Sequence, residues 1–171
     1  SVYLYKYESG RGTIETGYGT DGKDLTPFSS CIAISRKNAN EFKFGREVKE
    51  RINEYADDYR IVTSFKSLLG TDDEIVVNNE RFTGKQLAAL FLNHVKDTVG
   101  KQRSDFNEAV FSIPVDFSAR ARTELMEAAE AVGIKVKAFV SESSAAYISK
   151  VSQIKAFSKV MVIDFGGGTL D

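Results

Sequence analysis

The sequence predicts an α/β fold with a smaller inserted region of mixed strands and helices. The first observation behind this prediction is the rhythm of residues 83–163, where amphipathic helical segments alternate with short apolar runs typical of strands. The second is that residues 27–82 break this rhythm with short strand pairs and polar turns. Alternation of the first kind is typical of parallel strands with helices packed on their sheet.

Composition and charge exclude several classes of protein. A net charge of −1, with acids and bases interspersed along the chain, offers no basic surface to nucleic acid. No apolar segment is long enough to cross a membrane, and the first residues do not have the pattern of a signal peptide. Cys31 is the single cysteine, so we expect no internal disulfide and a reducing, cytoplasmic location. We also expect Cys31 to be a small buried residue.

In the first half, apolar alternation and turn residues predict three pairs of short strands. The segments "SVYLYKY" and "TIETGYG" flank a turn, and "CIAIS" and "EFKFG" flank the polar loop "RKNAN". The third pair, "EIVV" and "ERF", meets at Asn78-Asn79, which suits a hairpin turn. Residues 46–58 have helical spacing, and "RIVTSFKSLLG" should be extended and then helical up to Gly70.

A long helix over residues 84–99 opens the second half. Thr83 and Gln86 have the spacing of a capping box at its start, and Gly100 suits its end. We expect His94 at the edge of its apolar face. That face contains five residues: Leu87, Leu90, Phe91, Val95 and Val99.

Two further strands and two further helices follow before a last apolar run. The strand "EAVFSIP" should stop at Pro114, and the next helix should begin with Ser118 as N-cap and end at Gly133. The strand "IKVKAFV" and the helix "ESSAAYISKV" come next, and "VMVI" predicts a strand buried on both faces. We predict that Leu125 and Val162 are core residues.

The last eight residues form a glycine loop that could approach a phosphate group closely. Glycines lack Cβ atoms, so successive backbone N–H groups can cradle phosphate oxygens, while aspartates are suited to hold Mg²⁺ through its retained waters. The alternative is a tight turn between two strands that binds no ligand. The spacing matches neither of the two common glycine-rich nucleotide loops. The residues concerned are Asp164, Gly166, Gly167, Gly168, Thr169 and Asp171.

The order of these segments resembles the ATPase domain of the heat shock protein 70 family, within the actin-like ATPase superfamily with its ribonuclease H-like lobes. "SFKSLLG" is similar to that family's Lys-Arg-Leu-Ile-Gly segment, and "SESSAA" matches its Asn-Glu-Pro-Thr-Ala-Ala in part. "VIDFGGGTLD" resembles its Asp-Leu-Gly-Gly-Gly-Thr-Phe-Asp loop. The resemblance covers nearly the whole chain in the family's order.

The resemblance implies a chaperone ATPase that uses ATP and Mg²⁺, and it assigns roles to particular residues. Lys66 matches a catalytic lysine, whose ammonium can neutralise charge that develops at the γ-phosphate. Glu142 matches a glutamate that helps to place water and metal. The two aspartates of the glycine loop match the residues around Mg²⁺, and its glycines and Thr169 match the phosphate contacts. Pro114 and Arg122 match a pair that transmits the nucleotide state between lobes.

Considered by themselves, the same residues have simpler interpretations. Lys66 could be a solvated surface lysine, and Glu142 could complement the dipole at a helix start. Pro114 could simply end a strand, and Arg122 could be an exposed helix residue.

The resemblance also implies a domain division. Residues 1–26 and 83–158 would form the α/β lobe, residues 27–82 the small inserted subdomain, and residues 159–171 the start of a second lobe. A first phosphate loop, an adenine-binding lobe and a domain that meets client polypeptides and co-chaperones would lie outside the chain. We therefore expect no measurable ATP hydrolysis by the isolated chain, because half of the positioning groups would be missing.

Three departures from the family pattern predict a divergent member. Ser143-Ser144 stands where the family has Pro-Thr after the glutamate, the segment between Gly70 and Thr83 is short, and Asp116 replaces an aromatic residue. Two other hypotheses stay open. The chain could belong to another actin-like ATPase, such as a sugar kinase or a filament protein, or it could be a non-catalytic interaction lobe.

Overall fold

The computed structural model describes residues 4–8, 11–15, 28–100, 107–155 and 158–163. Within these ranges, nine strands form four small sheets, and the helices pack around them. The mixed α/β prediction is therefore confirmed. The first sheet is an antiparallel hairpin of β1 (Leu4–Glu8) and β2 (Arg11–Glu15), as the sequence predicts.

A three-stranded antiparallel sheet forms the best buried part of the structure. Its central strand β3 (Ile32–Ser35) lies between β4 (Phe42–Phe44) and β5 (Tyr59–Val62). Successive side chains of a β-strand point to opposite faces of its sheet, and both faces of β3 are covered by other residues. Ile32 and Ile34 join the main core, whereas Ala33 packs with Cys31 in a second cluster. The prediction of a buried Cys31 is confirmed, and burial raises the pKa of its thiol.

The helical segment predicted over residues 46–58 is divided into two short helices. These are α1 (Gly45–Glu50) and α2 (Ile52–Tyr55), and they are separated by Arg51, whose φ of −116° and ψ of 30° lie outside the helical region. The backbone N–H of Arg51 still reaches Glu47 O, and its carbonyl accepts from the next turn. The chain therefore turns at this residue without losing its local hydrogen bonds.

The predicted hairpin and capping box both form. Strands β6 (Glu74–Val77) and β7 (Glu80–Thr83) meet at Asn78 and Asn79, whose φ values of 50° and 66° fit a hairpin turn of the mirror-image type. Helix α3 (Gly84–Gly100) begins immediately afterwards, one residue longer than predicted. The backbone N–H of Thr83 donates to Gln86 Oε1 at 2.9 Å, and that of Gln86 donates to Thr83 Oγ1 at 3.2 Å.

The second half contains a parallel strand pair joined by a crossover helix. Strands β8 (Glu108–Ile113) and β9 (Lys135–Ser141) are parallel, and α4 (Ala119–Ala131) connects them. Ser118 caps α4 by accepting from Ala121 N, as predicted. Helix α5 (Glu142–Lys150) begins directly after β9, and a 3-10 helix (Val151–Gln153) follows it.

The main core joins the three-stranded sheet, the β6–β7 hairpin and the two long helices. Leu125 is half-buried against this core, in agreement with its predicted place. His94 is also half-buried, stacked on the Phe44 ring at a centroid distance of 4.7 Å, which confirms its position at the edge of the core. The predicted boundary at residue 83, between the inserted subdomain and the α/β lobe, stays a prediction. The buried residues of this core are Ile32, Ile34, Val62, Phe65, Leu69, Val77, Leu87, Ala88, Ala121 and Ala128.

The prediction of a last buried strand is wrong for the described part of that segment. Residues 158–163 form no regular strand; Met161 is 83% exposed and Ile163 is 67% exposed. Val162 is half-buried in a segment without strand structure, so the buried strand position that we predicted for it is not formed. A strand buried on both faces needs paired neighbours and covering layers, and among the described strands β8 and β9 pair only with each other.

None of the helices in the described ranges has the length and apolar character needed to span a membrane.

Candidate functional site

Two of the predicted site residues follow the carboxyl ends of the parallel strands. The last paired residues of β8 and β9 are Ile113 and Ser141, and the next residues in the chain are Pro114 and Glu142. In open α/β sheets, ligands bind in the crevice outside the carboxyl ends of the strands. The fold therefore places Pro114 and Glu142 at the edge where a ligand is expected.

Lys66 reaches this edge from a different part of the structure. It belongs to a 3-10 helix, Phe65–Leu68, which is anchored in the main core by the buried ring of Phe65. Its ammonium Nζ donates to Glu142 Oε1 at 2.6 Å, although the two residues are 76 positions apart in the sequence. The structure thus brings together the two residues that the family resemblance identifies as catalytic.

The surroundings of this ion pair leave it open to a ligand. The Lys66 side chain is 44% exposed and that of Glu142 is 25% exposed. An ion pair with this exposure contributes only about 0–1 kcal/mol to stability. It therefore stabilises the fold little, and both charges remain accessible to a ligand. An ammonium can contact anionic oxygens, and a carboxylate can accept a hydrogen bond from water, so this pair offers both a cation and a hydrogen-bond acceptor to a polar ligand.

Glu142 owes its position to the start of α5. The Ser141 hydroxyl accepts from Ser144 N at 3.1 Å and donates to Ser144 Oγ at 2.6 Å, so a serine cap begins the helix. The carboxylate of Glu142 lies in the first turn, where negative charge complements the helix dipole. Ser143 Oγ also lies 3.3 Å from Ser141 Oγ, so both serines that replace the family's Pro-Thr take part in this cap, and the turn beside Glu142 is held by hydrogen bonds.

Pro114 and Arg122 are linked through the backbone of one residue between them. Phe117 N donates to Pro114 O at 3.2 Å, and Arg122 Nε donates to Phe117 O at 3.1 Å. Pro114 is half-buried, whereas Arg122 is exposed. The turn between β8 and α4 therefore connects this pair, and it begins at the same edge as Glu142.

The remaining predicted site residues lie outside the described residues. These are the phosphate and metal ligands of the glycine loop: Asp164, Gly166, Gly167, Gly168, Thr169 and Asp171. Among the residues that are described, no group of three or more histidine, cysteine, aspartate or glutamate side chains is placed to hold a metal ion. The expectation of a magnesium site on Asp164 and Asp171 stays a prediction.

Sequence reasoning missed a second charged contact, which holds the turn after the Lys66 helix against α4. Glu124 Oε2 accepts from Gly70 N at 2.7 Å, and Glu124 Oε1 accepts from Arg120 Nε at 3.0 Å. Arg120 also donates to Asp72 Oδ1 at 2.7 Å, and this hydrogen bond lowers the pKa of the Asp72 carboxyl. The spacing of Arg120 and Glu124 indicates only a pair along a helix surface; nothing in it predicts the contact with Gly70.

Comparison with known proteins agrees with the family resemblance seen in the sequence. The family model described as Hsp70 protein matches residues 29–171. The chain is 29% identical over 152 residues to the chaperone protein DnaK of Mycoplasmopsis synoviae, which covers 88% of this chain and 24% of that protein. It is 30% identical over 112 residues to the chaperone protein DnaK of Ureaplasma urealyticum, covering 64% of this chain and 19% of that protein. The chain thus spans about a fifth to a quarter of the length of these relatives.

Proposed function

The chain belongs to the Hsp70 family, and we propose that it contributes one lobe of a chaperone ATPase that binds Mg-ATP and hydrolyses it. The ion pair between Lys66 and Glu142 carries this proposal. It joins two residues from distant parts of the sequence at the carboxyl ends of parallel strands, where a ligand is expected.

The actin-like architecture is part of the same proposal. Residues 1–26 and 83–158 would form the α/β lobe, residues 27–82 the inserted subdomain, and residues 159–171 the beginning of a second lobe. The parallel β8–α4–β9 unit supports a lobe of this type, because parallel strands with a crossover helix are its basic element. Family membership also leads us to propose a cytoplasmic location.

In this proposal, Lys66 and Glu142 have different tasks. The Lys66 ammonium would neutralise charge that develops on the phosphoryl group, and it would help to align the attacking water. The Glu142 carboxylate would orient that water and keep Lys66 in place until a nucleotide enters. Glycines 166–168 and Thr169 would contact the phosphates, while Asp164 and Asp171 would hold Mg²⁺ through water. Mg²⁺ would supply charge neutralisation at the phosphates when bound.

We further propose that Pro114 and Arg122 transmit the nucleotide state to parts of the protein outside this chain. The hydrogen bonds of both residues to the backbone of Phe117 support this role, since a shift at one end of the turn would move the other. Client polypeptides and co-chaperones would bind through those other parts.

The proposal is tested in the full-length protein that contains this chain. We expect Lys66→Ala to slow single-turnover ATP hydrolysis strongly while leaving ATP affinity nearly unchanged, because the ammonium acts chiefly in the transition state. Asp164→Asn should weaken Mg²⁺-dependent binding as well, because the metal is already held in the ground state. Isothermal titration of ATP with and without Mg²⁺, paired with single-turnover hydrolysis, measures both effects.

Lys85→Ala is the matched control. Lys85 is similarly exposed and also pairs with a glutamate, Glu127, at 3.0 Å, but this pair joins α3 to α4. The control should hydrolyse ATP like the wild type. Hydrolysis at the wild-type rate by Lys66→Ala would show that Lys66 is a surface residue, and unchanged Mg-ATP binding by Asp164→Asn would remove the metal assignment. A full-length protein that binds but never hydrolyses ATP would favour the non-catalytic interaction lobe.

A further inference from the structure

The helix that carries Lys66 is too short to fix the position of its own side chains. Phe65–Leu68 is a single 3-10 turn, and such turns have weaker hydrogen-bond geometry than an α-helix. Its amino-terminal end is fixed by the buried ring of Phe65. At its carboxyl-terminal end, the side chain of Leu69 is buried in the main core and the backbone then turns at Gly70, so the contacts of Gly70 add to those of Leu69 in holding Lys66.

Glu124 provides the polar contact at that end. Its Oε2 accepts the backbone N–H of Gly70 at 2.7 Å, and its side chain is only 17% exposed. Hydrogen bonds in which the acceptor is ionised are roughly twice as strong as those between neutral groups. This contact is partly buried, so leaving its N–H without an acceptor would carry part of the cost of an unpaired buried donor. The carboxylate therefore fixes the backbone four residues after Lys66.

Arg120, one turn earlier on α4, holds the same turn at its next two residues. Its guanidinium donates to Glu124 Oε1, to Thr71 O at 3.2 Å and to Asp72 Oδ1 at 2.7 Å. Glu124 is thereby oriented by Arg120, and the turn is held at three successive residues, 70–72. All of these bonds come from the amino-terminal half of α4.

The turn also packs against α4 without free space. Gly70 has a φ of +77°, and a Cβ at this position would lie 2.8 Å from Ser118 Oγ and 2.9 Å from Ala121 N. The turn therefore cannot move closer to α4, and the bonds of Glu124 and Arg120 oppose its movement away.

We propose that Glu124, oriented by Arg120, is a positioning residue for Lys66. It holds the turn after the Lys66 helix on α4, and so places the Lys66 ammonium opposite Glu142 at the carboxyl ends of the parallel strands. Helix α4 also carries Arg122, so one helix contacts both the turn that follows Lys66 and the turn that begins at Pro114. This inference rests on the catalytic role that we propose for Lys66.

The test is made in the full-length protein. A misplacement of about 1 Å in a catalytic group can slow a reaction by about 100-fold. We expect Glu124→Ala to slow single-turnover hydrolysis by about 10- to 100-fold, with ATP affinity nearly unchanged. Glu124→Gln keeps an oxygen that can accept from Gly70 N, so its rate should lie closer to wild type than to Glu124→Ala. The Gly70 amide should exchange hydrogen faster in Glu124→Ala.

Glu127→Ala is the matched control, since Glu127 lies one turn further along α4 and pairs with Lys85. It should hydrolyse ATP at the wild-type rate. A residue that acts through Lys66 has no further effect once Lys66 is gone, because groups that act as one unit are non-additive. Glu124→Ala should therefore leave the residual rate of the Lys66→Ala protein unchanged.

Two results would overturn this inference. One is a wild-type rate in a folded Glu124→Ala protein when Lys66→Ala is inactive, which would leave the proposed function standing. The other is an equal slowing by Glu124→Ala in the presence and absence of Lys66, which would indicate a general structural role. If Glu124→Ala does not fold, Arg120→Ala decides by the same comparison, because it removes the contacts that orient Glu124 and hold residues 71 and 72. A wild-type rate in Lys66→Ala would instead remove the proposed function and this inference together.

Discussion

The two halves of the described structure bury their apolar residues to very different degrees. The three-stranded sheet, the 3-10 helix that carries Lys66, α3 and α4 pack around the main core and form what we call the closed region. It contains Ile32, Ile34 and Leu87, which have no exposed surface. The parallel strands β8 and β9, with α5 and residues 158–163, form what we call the open region. There Val110 is 58% exposed and Ile148 is 63% exposed.

The difference follows from what covers each set of strands. In the closed region, β3 has a strand on each side and clusters on both faces. In the open region, β8 and β9 have only each other among the described strands, and α5 has no buried residue. The Lys66–Glu142 pair connects the two regions. The candidate site therefore pairs Lys66, which the well-packed core holds, with Glu142, which lies in the less buried region.

The largest expected effect is on the free energy of unfolding, and it should differ between the two regions. Ile34→Ala removes a fully buried side chain from the main core and should cost about 2–5 kcal/mol of unfolding free energy. Ile148→Ala, in the open region, should change it by less than about 0.5 kcal/mol, as is usual for surface positions. Denaturant unfolding of the 171-residue chain measures both. Similar losses for the two variants would contradict the division.

A second prediction concerns two glycines that share a left-handed backbone. Gly70 and Gly133 have φ values of +77° and +71°. In either position alanine should cost about 1–3 kcal/mol, the usual range for a strained backbone. Gly70→Ala should lie at the upper end, because its Cβ would meet the backbone and side chain of Ala121, whereas at Gly133 it would meet only the flexible Lys96 ammonium.

Denaturant unfolding compares the two glycine variants directly. A smaller loss for Gly70→Ala than for Gly133→Ala would show that the turn after Lys66 can move away from α4. That result would weaken the view that the closed region holds Lys66 rigidly.

Local signals in the sequence predicted much of the fold. The Asn78-Asn79 hairpin, the Thr83–Gln86 capping box and the Ser118 cap each depend on residues within a few positions of one another, and each forms as expected. The parallel pairing of β8 and β9 followed from the alternation of strands and helices. Residue type and spacing are sufficient for features of this kind.

Features that depend on distant contacts were not predictable in the same way. The turn at Arg51 contains no glycine or proline, so helical spacing alone could not indicate it. The apolar run ending at Ile163 has strand-like composition, but burial requires neighbours that the pattern does not specify. Family resemblance indicated Lys66 and Glu142 as candidate site residues. Their contact with each other, and the contact of Glu124 with Gly70, became visible only in the structure.

The smallest expected effect compares the same helix cap in the two regions. Ser118 and Ser141 each accept a backbone N–H from three residues further on, both at 3.1 Å. Removing a serine cap usually costs about 0.5–2 kcal/mol. Helix α4 packs Ala121 and Ala128 into the main core, so loosening its first turn should affect global unfolding, and Ser118→Ala should cost about 1 kcal/mol.

Ser141→Ala should behave differently although the hydrogen bond is the same. Helix α5 contributes no buried residue, so it can open without unfolding the core, and such local opening has its own lower free energy. We expect a change in global unfolding free energy of at most a few tenths of a kcal/mol, together with faster hydrogen exchange of the α5 amides. Because Glu142 is the first residue of α5, the loosened helix should also hold the Lys66 ammonium less firmly. Equal global losses for the two serine variants would mean that α5 unfolds together with the core, and the open region would then be energetically part of the closed one.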